Sequence, residues 1–410
     1  MSKDLDSPPN KRRKRIKLAP KFWRNISYTV TAIALSINFI LLARILNNKF
    51  FSKDTADISN TSQPHGFSKV PDNESSVSGT LPDPTTSPQL PQLNTLNQPP
   101  KTALKNTPDL VQEQEKLDNI RNSIIETCAK RGYSTANLSL MIIDVNSGAS
   151  SGYQEQQLRY PASIAKIFWL TYASALITQS PQLLSNENPQ FLEYLTLMIR
   201  ESDNNSTSNV IDIITQTKSG ATLSPAEYAT WSNKRNLMNQ FFEHYYGFKG
   251  INISQKVFPI PDIDYSSPEG RDQQIRGNNP DTPIRNKLSV QHAAYLMYFI
   301  AQENFLSPQL KELLKWDLNS FDWKSTSIDY FNPIKSFFGE SLPQDTIFYS
   351  KAGWTTQTRS EVAYISTPDG KTKYVLAIFT EDTNYAKDET LFPEISKITF
   401  NTMQQSRLKK

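Results

Sequence analysis

From Asp109 to Lys130 apolar residues return every third or fourth position, at Leu110, Leu117, Ile120, Ile124 and Cys128, which lines one face of a helix and predicts one there. Leu138 to Val145 abandons that rhythm for a continuous apolar run of strand length. Asn146-Ser147-Gly148 then reads as a tight turn, and Ala149 to Gln154 as a short return strand. Helical spacing resumes from Ser163 to about Ile177, from Phe191 to Glu201, from Pro225 to Tyr246, from Val290 to Glu303 and from Pro308 to Trp316. The last part is strand-rich, at Thr346 to Ala352, Glu361 to Ser366 and Lys373 to Thr380, with Pro368-Asp369-Gly370 as a turn and a final helix from Glu389 to Gln405.

Two strands before a helical block and three after it predict an α+β fold, a five-stranded antiparallel sheet flanked by helices beside an all-α subdomain. Order alone also allows two unrelated domains.

The first hundred residues follow other rules. Ile26 to Leu46 is an apolar run about long enough to span a bilayer, although Ser36 and Asn38 weaken it and Arg44 must reach an interface. Lys11-Arg12-Arg13-Lys14-Arg15, Lys17, Lys21 and Arg24 precede it, which reads as a cytoplasmic flank rather than a nucleic-acid patch. Leu42 to Asn47 offers no small-residue cleavage site, so an uncleaved anchor is expected, with everything after Lys49 in the periplasm or outside the cell. From Ser52 to Pro108, closely spaced prolines among Ser, Thr, Asn and Gln leave too few large apolar residues to form a core. The expected organisation is a basic tail at 1–25, one transmembrane helix at 26–46, a tether at 47–108 and a folded domain at 109–410.

A hydrophobic share of 37% and a charged share of 20% fit a globular protein diluted by such a tether. The single cysteine, Cys128, sits on an apolar helical face and cannot form an internal disulfide. His65, His244 and His292 have no metal-site spacing, so neither a metal nor a cofactor is expected.

The chemistry gathers at Tyr160-Pro161-Ala162-Ser163-Ile164-Ala165-Lys166. On a helix, Ser163 and Lys166 share a face one turn apart, so that the amine can take the hydroxyl's proton. Alone, the same residues equally describe a capped amphipathic helix with an exposed lysine. Ser202-Asp203-Asn204 and Lys351-Ala352-Gly353 follow in order, and with them the chain from about Leu110 onward resembles the serine β-lactamases and penicillin-binding proteins, most closely class A β-lactamases.

That resemblance implies Ser163 as nucleophile, Lys166 as base, Ser202 as proton relay to the leaving nitrogen, and Trp354 as the second oxyanion-hole donor beside the Ser163 N–H. It implies Asn204, Lys351 and Gly353 in substrate binding. It also marks departures. Ala352 stands where the family has a carboxylate-binding Thr or Ser, with Arg359 as a compensating arginine. Class A enzymes release their acyl group with a loop glutamate. Counting back from Arg285-Asn286 puts Gln273 at that position, with Glu269, Asp272 or Asp281 as alternatives in a rebuilt loop.

The expected function is therefore a membrane-anchored, class A β-lactamase-like serine hydrolase with slow deacylation. A D,D-peptidase acting on peptidoglycan stem peptides and a non-hydrolysing receptor for penicillins or muropeptides share the same motifs. The ligand is a β-lactam or a stem peptide, and the other partner is the cytoplasmic membrane.

Overall fold

The computed structural model describes residues 108–184, 190–302, 305–320 and 332–405. The predicted tail, anchor and tether up to residue 107 lie outside the described residues, among which no helix is long and apolar enough to cross a membrane. The strands are β1 (Leu138–Asp144), β2 (Ser150–Tyr153), β3 (Leu158–Arg159), β4 (Leu288–Ser289), β5 (Lys315–Trp316), β6 (Ile347–Thr355), β7 (Thr358–Ser366) and β8 (Lys373–Thr380). Six of them form one sheet in the order β2-β1-β8-β7-β6-β5, antiparallel throughout, and β3 pairs with β4 separately.

The sheet thus has six strands where five were predicted. The extra edge strand, β5, consists of Lys315 and Trp316 paired with Tyr349 and Phe348. Two residues carry no periodicity, and they fell at the end of a predicted helix.

The helices are α1 (Pro108–Lys130), α2 (Ala165–Gln179), α3 (Gln190–Arg200), α4 (Asn204–Thr215), α5 (Pro225–Tyr246), α6 (Gly270–Gln274), α7 (Val290–Ala301), α8 (Pro308–Glu312), α9 (Thr383–Lys387) and α10 (Leu391–Gln405). Helix α4 was not predicted, because its opening run Asn204-Asn205-Ser206-Thr207-Ser208-Asn209 hides the buried Val210, Ile211 and Ile214 behind it. Asp203 starts it by accepting from the Ser206 N–H at 2.6 Å.

Both faces of the sheet are covered. Along β1, Leu138, Leu140 and Ile142 join a lower core with Leu117 and Ile124 of α1 and Phe392 and Ile395 of α10. Met141 and Ile143 point the other way, into an upper core with Phe168 of α2, Phe242 of α5 and Leu296 of α7. Burial on both sides explains why β1 reads as an unbroken apolar run rather than an alternation. Cys128 is buried in the lower core, and burial pushes its thiol up to about 11.

Candidate active site

The Ser163 turn and the Ser202 loop meet the middle of β6. Ser163 lies in a 3-10 turn, Ala162–Ile164, that feeds α2, so the predicted helix begins at Ala165 instead. Ala162, just before it, has a left-handed φ of +46°, and Ser202 has one of +54°. Such a conformation costs a non-glycine residue roughly 1–2 kcal/mol, and of the residues that carry it these two sit at Ser202 itself and directly before Ser163.

Lys166 is fully buried in the first turn of α2. Its Nζ lies 2.5 Å from the Ser202 carbonyl oxygen, 3.1 Å from Ser202 Oγ and 3.1 Å from Asn204 Oδ1. Lys351 Nζ reaches the same Ser202 Oγ from β6, at 3.1 Å. One hydroxyl is thereby shared by two buried amines, while the half-buried Ser163 stands in the same cavity.

Burial holds the Lys166 amine well below the ordinary lysine range, and the neighbouring Lys351 cation lowers it further against a smaller upward pull from Asp203. Burial also lowers Lys351, to about 7, against the upward pull of Glu361. A neutral Lys166 has a lone pair with which to accept a proton.

Gly353 packs against the nucleophile turn itself. A Cβ there would stand 2.9 Å from the Pro161 carbonyl oxygen and 3.1 Å from the Ser163 nitrogen, so only glycine lets β6 come this close. That contact, rather than an approach of substrate, is what the structure shows the glycine to permit. Trp354 follows it and lines the same cavity as Ser163.

One predicted substrate contact, Arg359, is not brought into the groove. Arg359 is buried on the opposite face of the sheet, donating to the Ala386 carbonyl at 3.0 Å and the Ser336 carbonyl at 2.9 Å, with its guanidinium 4.9 Å from the Phe337 ring. Its donors are committed to the main chain. Ala352 is fully buried in the lower core, so the missing hydroxyl would face that core and not the cavity.

The loop that should carry a deacylating carboxylate is closed as expected at one end and not at the other. Asn286 makes reciprocal hydrogen bonds with the backbone of Gln255, at 3.1 and 2.8 Å, and Asn252 pairs through its main chain with Lys287 at 2.9 and 2.7 Å. The loop therefore opens near Gln255 rather than at Arg271. Its residues facing Ser163 are Val257, Phe258 and Pro259.

Glu269, Asp272 and Gln273 lie on or beside α6, which is hydrogen-bonded to the stretch near Gly220 and Leu223, and none of them lines the Ser163 cavity. Asp272 is buried 3.8 Å from Arg235 instead. Asp281 is exposed and does not line the cavity either.

Sequence reasoning missed two parts of this wall. One is Phe258 with its neighbours Val257 and Pro259, an unremarkable apolar triplet. The other is the buried ion cluster that fixes it: Lys256 Nζ lies 2.7 Å from Asp212 Oδ2, and Arg235 Nη2 lies 3.1 Å from Asp212 Oδ1. Nothing in residue spacing links these three positions.

The cavity encloses about 290 Å³, bounded by Tyr160, Ala162, Ser163, Glu201, Ser202, Asn204, Val257, Phe258, Pro259, Trp354 and Thr355. Among the described residues, no group of three or more His, Cys, Asp or Glu is placed to hold a metal ion. His292 caps α7 and stacks on Phe248, and burial lowers its imidazole to about 4, which keeps it neutral.

A model described as the beta-lactamase enzyme family matches residues 177–403, more than half of the chain. The match takes in Ser202, Asn204, Lys351 and Gly353 and begins after Ser163. No curated protein matches. Solved structures similar in fold include a mutant of PBP-A as an acyl-enzyme complex with penicillin G, 20% identical over 70% of this chain and 97% of that one, with a TM-score of 0.45. A β-lactamase from Sphaerobacter thermophilus is 15% identical over 70% and 98%, with a TM-score of 0.46. The TLA-1 extended spectrum β-lactamase is 15% identical over 70% and 99%, with a TM-score of 0.48.

Proposed function

The chain belongs to the beta-lactamase enzyme family, and within it we propose a serine acyl-transfer enzyme that takes the acyl group of a β-lactam or a peptidoglycan stem peptide onto Ser163 and releases it slowly. The observation that carries this reading is that Ser163, Ser202 and Asn204 line one cavity while the buried Lys166 and Lys351 amines both reach Ser202 Oγ.

In this reading Lys166, neutral through burial, takes the Ser163 proton as Oγ attacks the carbonyl carbon. The backbone N–H groups of Ser163 and Trp354 receive the oxyanion that forms. The carbon–nitrogen bond then breaks, and the nitrogen takes its proton from the Ser202 hydroxyl. Lys166 or Lys351 restores that proton across 3.1 Å. Asn204 holds the Lys166 amine in line through Oδ1.

Release requires a water and a base. The loop offers Val257, Phe258 and Pro259 to Ser163, and none can accept a proton. The same apolar wall favours a second reading, a receptor for penicillins or muropeptides whose adduct is the functional state. The basic residues before Ile26 and the apolar run to Leu46 support anchoring in the cytoplasmic membrane with Ser163 on its far side.

An intact-mass time course with a penicillin tests the proposal. One acyl adduct should accumulate, vanish in Ser163→Ala, and form orders of magnitude more slowly in Lys166→Ala, which lacks the proton acceptor. An adduct that survives Ser163→Ala would place the nucleophile elsewhere.

A further inference from the structure

Two separate elements bring apolar side chains to the mouth of the Ser163 cavity, Tyr160 from the turn before the nucleophile and Val257, Phe258 and Pro259 from the loop. The Trp354 ring is not part of this wall: it lies on the Arg359 face of the sheet, and its indole Nε1 donates to the same Ala386 carbonyl oxygen, at 3.0 Å.

Phe258 and Tyr160 are half-buried, each backed by a guanidinium, Arg276 at 5.9 Å from the Phe258 ring and Arg285 at 5.7 Å from the Tyr160 ring. Neither arginine lines the cavity. The acidic side chain that does is Glu201, exposed at the rim one residue before Ser202.

Resting on the acyl-transfer reading, we infer that this wall selects acyl donors whose side chain next to the reacting carbonyl is apolar or aromatic and uncharged. A ring entering the cavity removes its own apolar surface and part of Tyr160 and Phe258 from water. A carboxylate in the same place would lose hydration against apolar walls and face Glu201. The amines of the site, Lys166 and Lys351, meet at Ser202, where the leaving nitrogen and the ring carboxylate of a penicillin would lie, so they do not reward an anion on the acyl side. Each aromatic contact is worth about 0.5–1.5 kcal/mol, up to roughly tenfold in rate when it is made in the transition state.

The test is a pair of penicillins that differ by one carboxylate on the acyl side chain, benzylpenicillin and carbenicillin, acylating the full chain, with second-order rates read by intact mass. Benzylpenicillin should react at least roughly tenfold faster. Phe258→Ala should narrow that ratio several-fold, Phe258→Leu should keep most of it, and Glu201→Gln should raise the carbenicillin rate more than the benzylpenicillin rate. Equal rates, or faster acylation by carbenicillin through Arg276 or Arg285, would overturn this inference alone. Absence of a Ser163 adduct with either compound would overturn the acyl-transfer reading and this inference with it.

Discussion

Phe258→Glu should convert slow release of the acyl group into faster turnover. The substitution places a carboxylate on the loop segment that lines the Ser163 cavity, and a shorter side chain in place of the ring leaves room for a water. A positioned general base contributes about a hundredfold to ten-thousandfold. The lower end applies here, because no neighbouring donor is known to hold the new side chain in one rotamer. Its surroundings work in its favour: Val257, Pro259 and Tyr160 would desolvate the carboxylate and raise its pKa toward neutrality, where a base is most effective. The assay preforms the penicillin adduct, removes free ligand and follows loss of the acyl mass, expecting release about a hundredfold faster than in the native chain. Phe258→Gln has nearly the same shape and no basic oxygen of that strength, so it should release at the native rate. Gln273→Glu should do likewise, because Gln273 lies outside the cavity. Equal acceleration by Phe258→Glu and Phe258→Gln would show that volume rather than basicity controls release. Native turnover already as fast as that of Phe258→Glu would refute the reasoning.

Acylation should rise with pH as Lys166 loses its proton and fall as Lys351 loses its own near 7, because both folded-state values are depressed and each amine is charged only below its value. A rate that stays flat from about pH 5 to about pH 9 would sink the assignment of these two roles. Asp212→Asn should destabilise the fold by about 3–5 kcal/mol in urea unfolding, since it strips the carboxylate from buried Lys256 and Arg235; a loss under about 1 kcal/mol would mean the cluster is solvated.

The parts legible in the sequence are those in which residue type and position carry the physics together. The three motifs stand in order because each needs a particular side chain, and long buried helices such as α5 and α7 announce themselves by period. Arg359 was misread because a strand's alternation fixes the face of every residue and one step reverses it. Arg359, Glu361, Ala363 and Ile365 share the lower face, while Val362 belongs to the upper core. The loop was misregistered for a different reason. Its closure depends on the backbone of Gln255, and a main-chain partner leaves no trace in residue identity.

The remaining question is why the chain maintains so costly a site. Two left-handed non-glycine residues and two buried lysines flanking one hydroxyl all oppose folding. The hydrogen-bond partners recorded for the Lys166 amine, Ser202 and Asn204, are neutral, and Lys351 lowers it by repulsion. Once Lys166 takes the Ser163 proton it stands as a cation beside Lys351, and the negative charge newly formed on the oxyanion at Ser163 and on the leaving nitrogen offsets that repulsion. The interaction is thus stronger in the transition state than with a neutral amide at rest, which is the condition for rate acceleration rather than tight binding. The apolar wall of Val257, Phe258 and Pro259 contributes nothing comparable to the attack of water. The same asymmetry that favours forming the ester leaves it in place once formed.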